Sequence, residues 1–211
     1  SDLARSYANG TGVPQDYAQA LAWYGKAAAQ GHPGGQVGLG NMYYAGQGVQ
    51  RDYQAAAQWW RKAEQQGAPA AQRGLAVMYA SGSGVKQNPA RAAVLYRKAA
   101  DQGDAAAQYN LGVMYANGTG VTQSFGRAAR WYRKAADQGD GSAQYSLGIA
   151  YGMGQGVSKD LVQSYKWLAL AAANGQQKAG PARDALTGRM TVQQLAEAQK
   201  LAREWKPSSP W

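Results

Sequence analysis

Cysteine is absent from all 211 residues, which removes disulfides, thiolate nucleophiles and cysteine metal sites from consideration. That absence fits an oxidising or a reducing compartment and does not choose between them. Histidine occurs once, at His32, in a link before Pro33 and Gly34. A Ser-His-Asp triad would have to use that residue, and no nucleophile-elbow motif accompanies it. No GxxxxGKS/T loop is present, and no GxGxxG follows a strand. Nothing approaches the roughly 20 apolar residues of a membrane helix; the longest apolar run is Trp167–Ala173. No secretory signal is visible. These absences argue against an enzyme, a cofactor, a bound metal or a small-molecule substrate.

What the chain has in abundance is regularity. Gly12-Val13, Gly48-Val49, Gly84-Val85, Gly120-Val121 and Gly156-Val157 recur at intervals of 36 residues, without insertion or deletion. A fixed period of that size marks a stacked repeat array, whose units bury a continuous core between neighbours and serve as binding surfaces. Phe125 is the single Phe, whereas Gly (28), Tyr (14) and Trp (7) are plentiful. Small residues let helices approach closely, and Tyr and Trp supply bulk with a polar handle.

One copy, Asp104–Gly139, shows the design. Ala107, Leu111, Met114 and Tyr115 fall at i, i+4, i+7 and i+8, one face of a helix. Gly118 ends it, as Gly10, Gly46, Gly82 and Gly154 end its equivalents. The Val of each Gly-Val pair is expected to anchor the loop in the core. Asp16, Asp52, Asn88, Ser124 and Asp160 share one position and are all good N-caps. Pro89 follows Asn88, where a helix tolerates Pro best. The second helix carries Ala128, Trp131, Tyr132 and Ala135 on one face, and Gly139 closes it. Trp23, Trp59, Trp131 and Trp167 share a position read as core. Carboxylate pairs at Asp101/Asp104 and Asp137/Asp140 recur with the period, so each spans a helix end and the next helix start.

Ala107-Gln108, Leu111-Gly112, Met114-Tyr115, Gly118-Thr119-Gly120-Val121, Trp131-Tyr132, Lys134-Ala135-Ala136 and Gln138-Gly139 resemble the Sel-1-like repeat family, relatives of tetratricopeptide repeats. The resemblance covers about residues 3–175. Copies depart from it at Ala76, Leu95 and Ala150, which stay apolar, and the chain lacks the per-repeat disulfide of some members. It implies an all-α, right-handed α-solenoid: five helix-turn-helix repeats over 1–175, the first truncated, then a degenerate repeat and capping helix over 176–211. Leu3, Ala4, Tyr7 and Gly10 align one period before Leu39, Gly40, Tyr43 and Gly46. The chain thus opens inside a first helix, and a targeting segment and further repeats are expected upstream. At the other end Thr191 is expected to cap a helix carrying Leu195, Ala198, Leu201, Ala202 and Trp205 on one side. Pro207–Trp211 is expected to fray or lie against the surface.

Related arrays line a concave groove with their first helices. Carried over, that geometry places Asn41, Tyr44, Arg73, Val77, Ser81, Tyr109, Val113, Ala116, Asn117, Tyr145, Ile149 and Met153 on the groove. These positions vary between copies, while the stacking positions repeat. A competing surface is the ridge of Arg61, Arg97 and Arg133 with Lys26, Lys62, Lys98 and Lys134, late in the second helices. Its formal reading is a solvated cationic face complementing the helix dipoles. The net charge of +10 suits an acidic protein partner; a nucleic-acid partner is the remote reading. Through the family, the expectation is a monomeric, non-catalytic scaffold that binds another protein. Its most specific form is an immunity protein neutralising a secreted antibacterial effector of lipase type. A periplasmic adaptor in envelope assembly or signalling is the alternative. Periplasmic or exported localisation goes with both, and a cytoplasmic location is the other possibility.

Overall fold

The computed structural model describes residues 2–208, and among them every regular element is helical. The chain divides into two compact units, one ending at Gln102 and the other beginning at Gly103. The first holds α1 (Asp2–Asn9), α2 (Tyr17–Ala29), α3 (Pro33–Ala45), α4 (Tyr53–Gln65), α5 (Pro69–Ser81) and α6 (Pro89–Asp101). The second holds α7 (Ala105–Asn117), α8 (Phe125–Asp137), α9 (Gly141–Met153), α10 (Leu161–Ala173), α11 (Ala179–Thr187) and α12 (Val192–Glu204). The helices pair in sequence as α1/α2, α3/α4 and α5/α6, then α7/α8 and α9/α10. This is an all-α repeat fold.

Local chemistry sets the helix bounds. Each second helix starts at a side-chain cap: Asp16 accepts from the Gln19 amide at 3.0 Å, and Asp160 from that of Gln163 at 3.0 Å. Asp52, Asn88 and Ser124 do the same, each satisfying an amide that the first turn leaves without a partner. Asp104 and Asp140 cap α7 and α9 at 2.8 Å, whereas α3 and α5 begin with Pro33 and Pro69 at the first turn. Gly46 ends α3 at φ 72°, a left-handed conformation that a Cβ would strain, and its amide returns to the Met42 carbonyl.

Between helices, close approach and ring size are matched. A Cβ at Gly40 would lie 2.3 Å from the Trp60 ring, and one at Gly74 would lie 2.7 Å from it. Trp60 therefore wedges α4 against both α3 and α5. In the second unit a Cβ at Gly112 would stand 2.7 Å from Tyr132. Beside these apolar contacts each hairpin from α3/α4 to α9/α10 carries a side-chain amide pair whose first-helix member is buried. Gln66, Gln102 and Gln138 at second-helix ends donate to Gln36, Gln72 and Gln108 on the first helices, at 2.9, 2.8 and 2.8 Å. Asn174 donates likewise to Gln144 at 2.8 Å, and Gln144 is fully buried. Each bond pins one hairpin, because a buried amide left unpaired costs about 1–3 kcal/mol.

Three expectations are corrected. The tryptophan position is not uniformly core: Trp23 is 38% exposed and Trp59 half-buried, whereas Trp131 and Trp167 are buried. The repeating core position lies one residue later, at Trp60, Tyr96, Tyr132 and Leu168. The loop valines Val13, Val49, Val85, Val121 and Val157 are half-buried and do not enter the core. Finally, Trp205 lies just past α12, where its ring meets Trp167 edge-on at 6.2 Å. Thr191 does cap α12, in a reciprocal capping box with Gln194. Beyond Trp205, Ser208 bonds the Asp137 carbonyl through its amide at 2.8 Å and its hydroxyl at 3.0 Å. The rest of the expected frayed end, 209–211, lies outside the described residues.

Candidate partner-binding surfaces

First-helix residues on the second unit bring the groove candidates together most directly. Tyr109, half-buried on α7, packs against Tyr132 of α8 with ring centroids 5.9 Å apart. Tyr132 in turn lines a pocket of about 230 Å³ with Tyr145 and Ile149 of α9. Ala116 and Phe125 close its other side, and Phe125 is 41% exposed. The aromatic set Tyr109, Tyr132, Tyr145 and Phe125 is thus contiguous and open to solvent at Phe125. Burial pushes the Tyr132 hydroxyl up to about 12, with Tyr109 adding to the shift, so this wall is uncharged at neutral pH. Val113 is half-buried and Asn117 exposed on α7. Met153 stands 64% exposed at the end of α9.

In the first unit, Tyr44 at the end of α3 lies between Tyr53 and Trp60, at 5.2 and 5.3 Å. Arg73 and Val77 are half-buried on α5, and Asn41 and Ser81 are exposed. Burial raises Tyr96 to about 12, while Arg73 pulls it down and Tyr44 pushes it up. Tyr44, Arg73 and Tyr96 are therefore electrostatic neighbours. Phe125, Tyr53 and Tyr96 are second-helix residues that a first-helix reading omits. A signal for two of them exists in the sequence: Tyr17, Tyr53 and Phe125 occupy one repeat position, at the start of the second helix.

The basic ridge is not simply a solvated face. Lys26, Lys62 and Lys134 lie over Trp23, Trp59 and Trp131, three residues earlier, at 4.3–4.4 Å. Arg133 lies 5.1 Å from the Trp167 ring and 5.5 Å from that of Tyr151, to whose hydroxyl it also donates. Burial raises the Asp137 carboxyl against the pull of Arg133 and Lys166, and burial lowers the Lys166 amine. Many of the cations thus serve as lids on aromatic rings.

The residues weighed for catalysis are dispersed. His32 is exposed at the start of α3 with no side-chain capping bond. Asp104 and Asp140 are occupied as caps. Among the described residues no group of three or more His, Asp or Glu side chains could hold a metal ion. No described helix is long and apolar enough to cross a membrane.

Five consecutive stretches, residues 1–32, 33–67, 69–104, 105–140 and 141–176, match the Sel1 repeat. The chain belongs to the Sel1 repeat family. A Sel1 repeat protein from Oxalobacter formigenes is 35% identical, with a TM-score of 0.83 over 97% of this chain and 83% of that one. A protective antigen of uropathogenic Escherichia coli with the same repeat fold is 29% identical, with a TM-score of 0.54 over 97% of this chain and 59% of the antigen. An immunity protein from Pseudomonas aeruginosa shares the fold at 20% identity, TM-score 0.58, over 97% of this chain and 80% of that one. No protein of curated function matches. Within the Sel1 frame, positions that recur between copies serve in capping, ring wedging and amide pairing. The pocket around Tyr145 and the cluster around Tyr44 each add first-helix rings to a frame residue, Tyr132 and Trp60 respectively.

Proposed function

We propose that this Sel1 repeat chain works by binding a protein partner through its first-helix surfaces and carries out no chemistry itself. Sel1 repeats mediate protein interaction; the finer claim is where and for what purpose. The observation that carries it is the open aromatic pocket of Tyr132, Tyr145, Ile149 and Phe125. Aromatic anchors in concave pockets are what interfaces use most, and stacking of the repeats does not require an exposed Phe125. Tyr44 and Arg73 supply a second anchor pair, with Asn41 and Asn117 as exposed hydrogen-bonding groups.

The partner we infer is a secreted antibacterial effector, of lipase type, which this protein neutralises by occlusion in the periplasm or after export. The support is the shared fold with the Pseudomonas immunity protein, together with a net charge of +10 that favours encounter with an acidic surface. The test has two stages. Capture from cell extract identifies the retained protein, and co-expression asks whether the chain rescues cells from it. Calorimetry then compares the Arg73→Ala/Tyr109→Ala pair with the Arg97→Ala/Lys98→Ala pair. At least tenfold weaker binding in the first pair, with little loss of melting temperature, supports the reading. Full affinity there with loss in the second pair moves the interface to the ridge.

A further inference from the structure

The third repeat carries Leu95 where its neighbours carry Trp59 and Trp131, and a cavity marks the spot. In the second unit Arg133 rests on two rings, Trp167 at 5.1 Å and Tyr151 at 5.5 Å. The residues two periods earlier, 72 positions back, are Arg61, Leu95 and Tyr79. Tyr79 is kept, but the indole is replaced by Leu95. There the structure opens a cavity of about 400 Å³, lined by Arg61, Tyr79 and Leu95 among others. That size falls within the range of ligand pockets, about 300–1,000 Å³. Arg61 has no hydrogen bond or ion pair among the described residues. The missing indole also displaces Lys98. Its counterparts Lys62 and Lys134 lie over their own tryptophans at 4.3 and 4.4 Å; Lys98 instead reaches Glu64 at 3.0 Å. Arg91 folds over Tyr79 at 4.7 Å, and both line the cavity. Val94 beside it is 58% exposed.

We propose that this cavity receives an aromatic side chain of a protein partner, presented beside acidic residues. The incoming ring takes the place that Trp167 fills from within the chain in the second unit. Its faces meet the Arg61 guanidinium and Tyr79, its edge meets Leu95, and the contact is cation–π in character. Charge decides the flanking residues. Arg61, Arg91 and Lys98 outnumber Glu64, so carboxylates beside the ring are attracted and cations are repelled. The proposal rests on the protein-binding reading and adds to it a chemically defined anchor on the ridge side, separate from the pocket around Tyr145.

The test titrates the full chain, isotopically labelled for NMR, with the capped peptide acetyl-Asp-Trp-Asp-amide and with its alanine counterpart. The expected result is movement of the Arg61, Tyr79 and Leu95 amide signals, with the alanine peptide at least tenfold weaker. Leu95→Trp should fill the cavity from inside, weaken the tryptophan peptide at least tenfold and leave the melting temperature equal or higher. If that variant fails to fold by circular dichroism, Leu95→Phe takes its place, and Arg61→Ala should weaken the same peptide independently. Equal binding of the two peptides, or binding that survives a filled cavity, overturns the proposal. So does a response confined to the Tyr145 pocket. None of these outcomes touches calorimetry of the whole partner on the Arg73/Tyr109 variant, so failure of this site and failure of the binding role are read separately.

Discussion

Tryptophan at one repeat position runs from 38% exposed at Trp23 to fully buried at Trp167. The difference lies in what covers the ring. Trp23 carries a single lysine, Lys26. Trp167 is covered by Arg133, by Lys166 and by Trp205 from the far end of the chain. Trp167→Ala should therefore cost about 3–5 kcal/mol, the range for emptying a buried aromatic site. Trp23→Ala should cost on the order of 1 kcal/mol, as for an ordinary point substitution. Urea melts of the two variants check the ranking, and equal losses would contradict the burial gradient. The sequence marks both residues as equivalent because their own copies are equivalent. Trp23 has only the lysine of its own copy among these covers, whereas Trp167 adds Arg133 from another copy and Trp205 from a segment outside the repeat pattern. The same blindness applies at Leu95, where a change that keeps apolar character nevertheless removes the ring on which its lysine would lie.

Helices were legible because their signals are local. The caps Asp16, Asp52, Asn88, Ser124 and Asp160 each act on an amide two or three residues away, and the structure shows all of them bonded. The Gln pairs were not legible, although both members sit in recurrent motifs. Gln108 and Gln138 are 30 residues apart, and a polar residue on an amphipathic helix reads as surface until the neighbouring helix is placed. The pair Gln144 and Asn174 offers a clean measurement. Asn174→Ala strips the donor from the Gln144 carbonyl oxygen, which is fully buried, and should cost about 1–3 kcal/mol. Adding Gln144→Leu should recover part of that loss, because it removes the orphaned acceptor. The Ala136 carbonyl that Gln144 also serves keeps a second donor in the Gly139 amide at 3.0 Å. Chemical denaturation of the single and double variants decides this. Further loss in the double variant would mean that the amide acts through packing and not through its hydrogen bonds.

Taken over the whole chain, two properties follow from the distribution of tyrosine and charge. Tyr96 and Tyr132 are both held protonated up to about 12 by burial, against 10.0 for a free phenol. Between pH 10 and 12 the folded chain keeps these protons and the unfolded chain sheds them. Their contribution to stability is thus complete below pH 10 and is lost as pH rises toward 12. Melting temperatures should fall across that window, and Tyr132→Phe should make the fall shallower. An unchanged slope would place the Tyr132 hydroxyl in water. The second property is the formal charge of +10. It acts at long range on encounter, whereas aromatic anchors act at contact. Once a partner is in hand, raising the ionic strength should slow association with little effect on dissociation. Arg97→Ala/Lys98→Ala should slow association in the same way and flatten its salt dependence. Tyr145→Ala should instead speed dissociation, leaving the salt dependence unchanged, because its ring lines the aromatic pocket and carries no charge. Stopped-flow association and dissociation rates across a salt series separate the two. A salt response as steep as one counterion per phosphate contact, with no effect of Tyr145→Ala, would instead reveal a nucleic-acid surface.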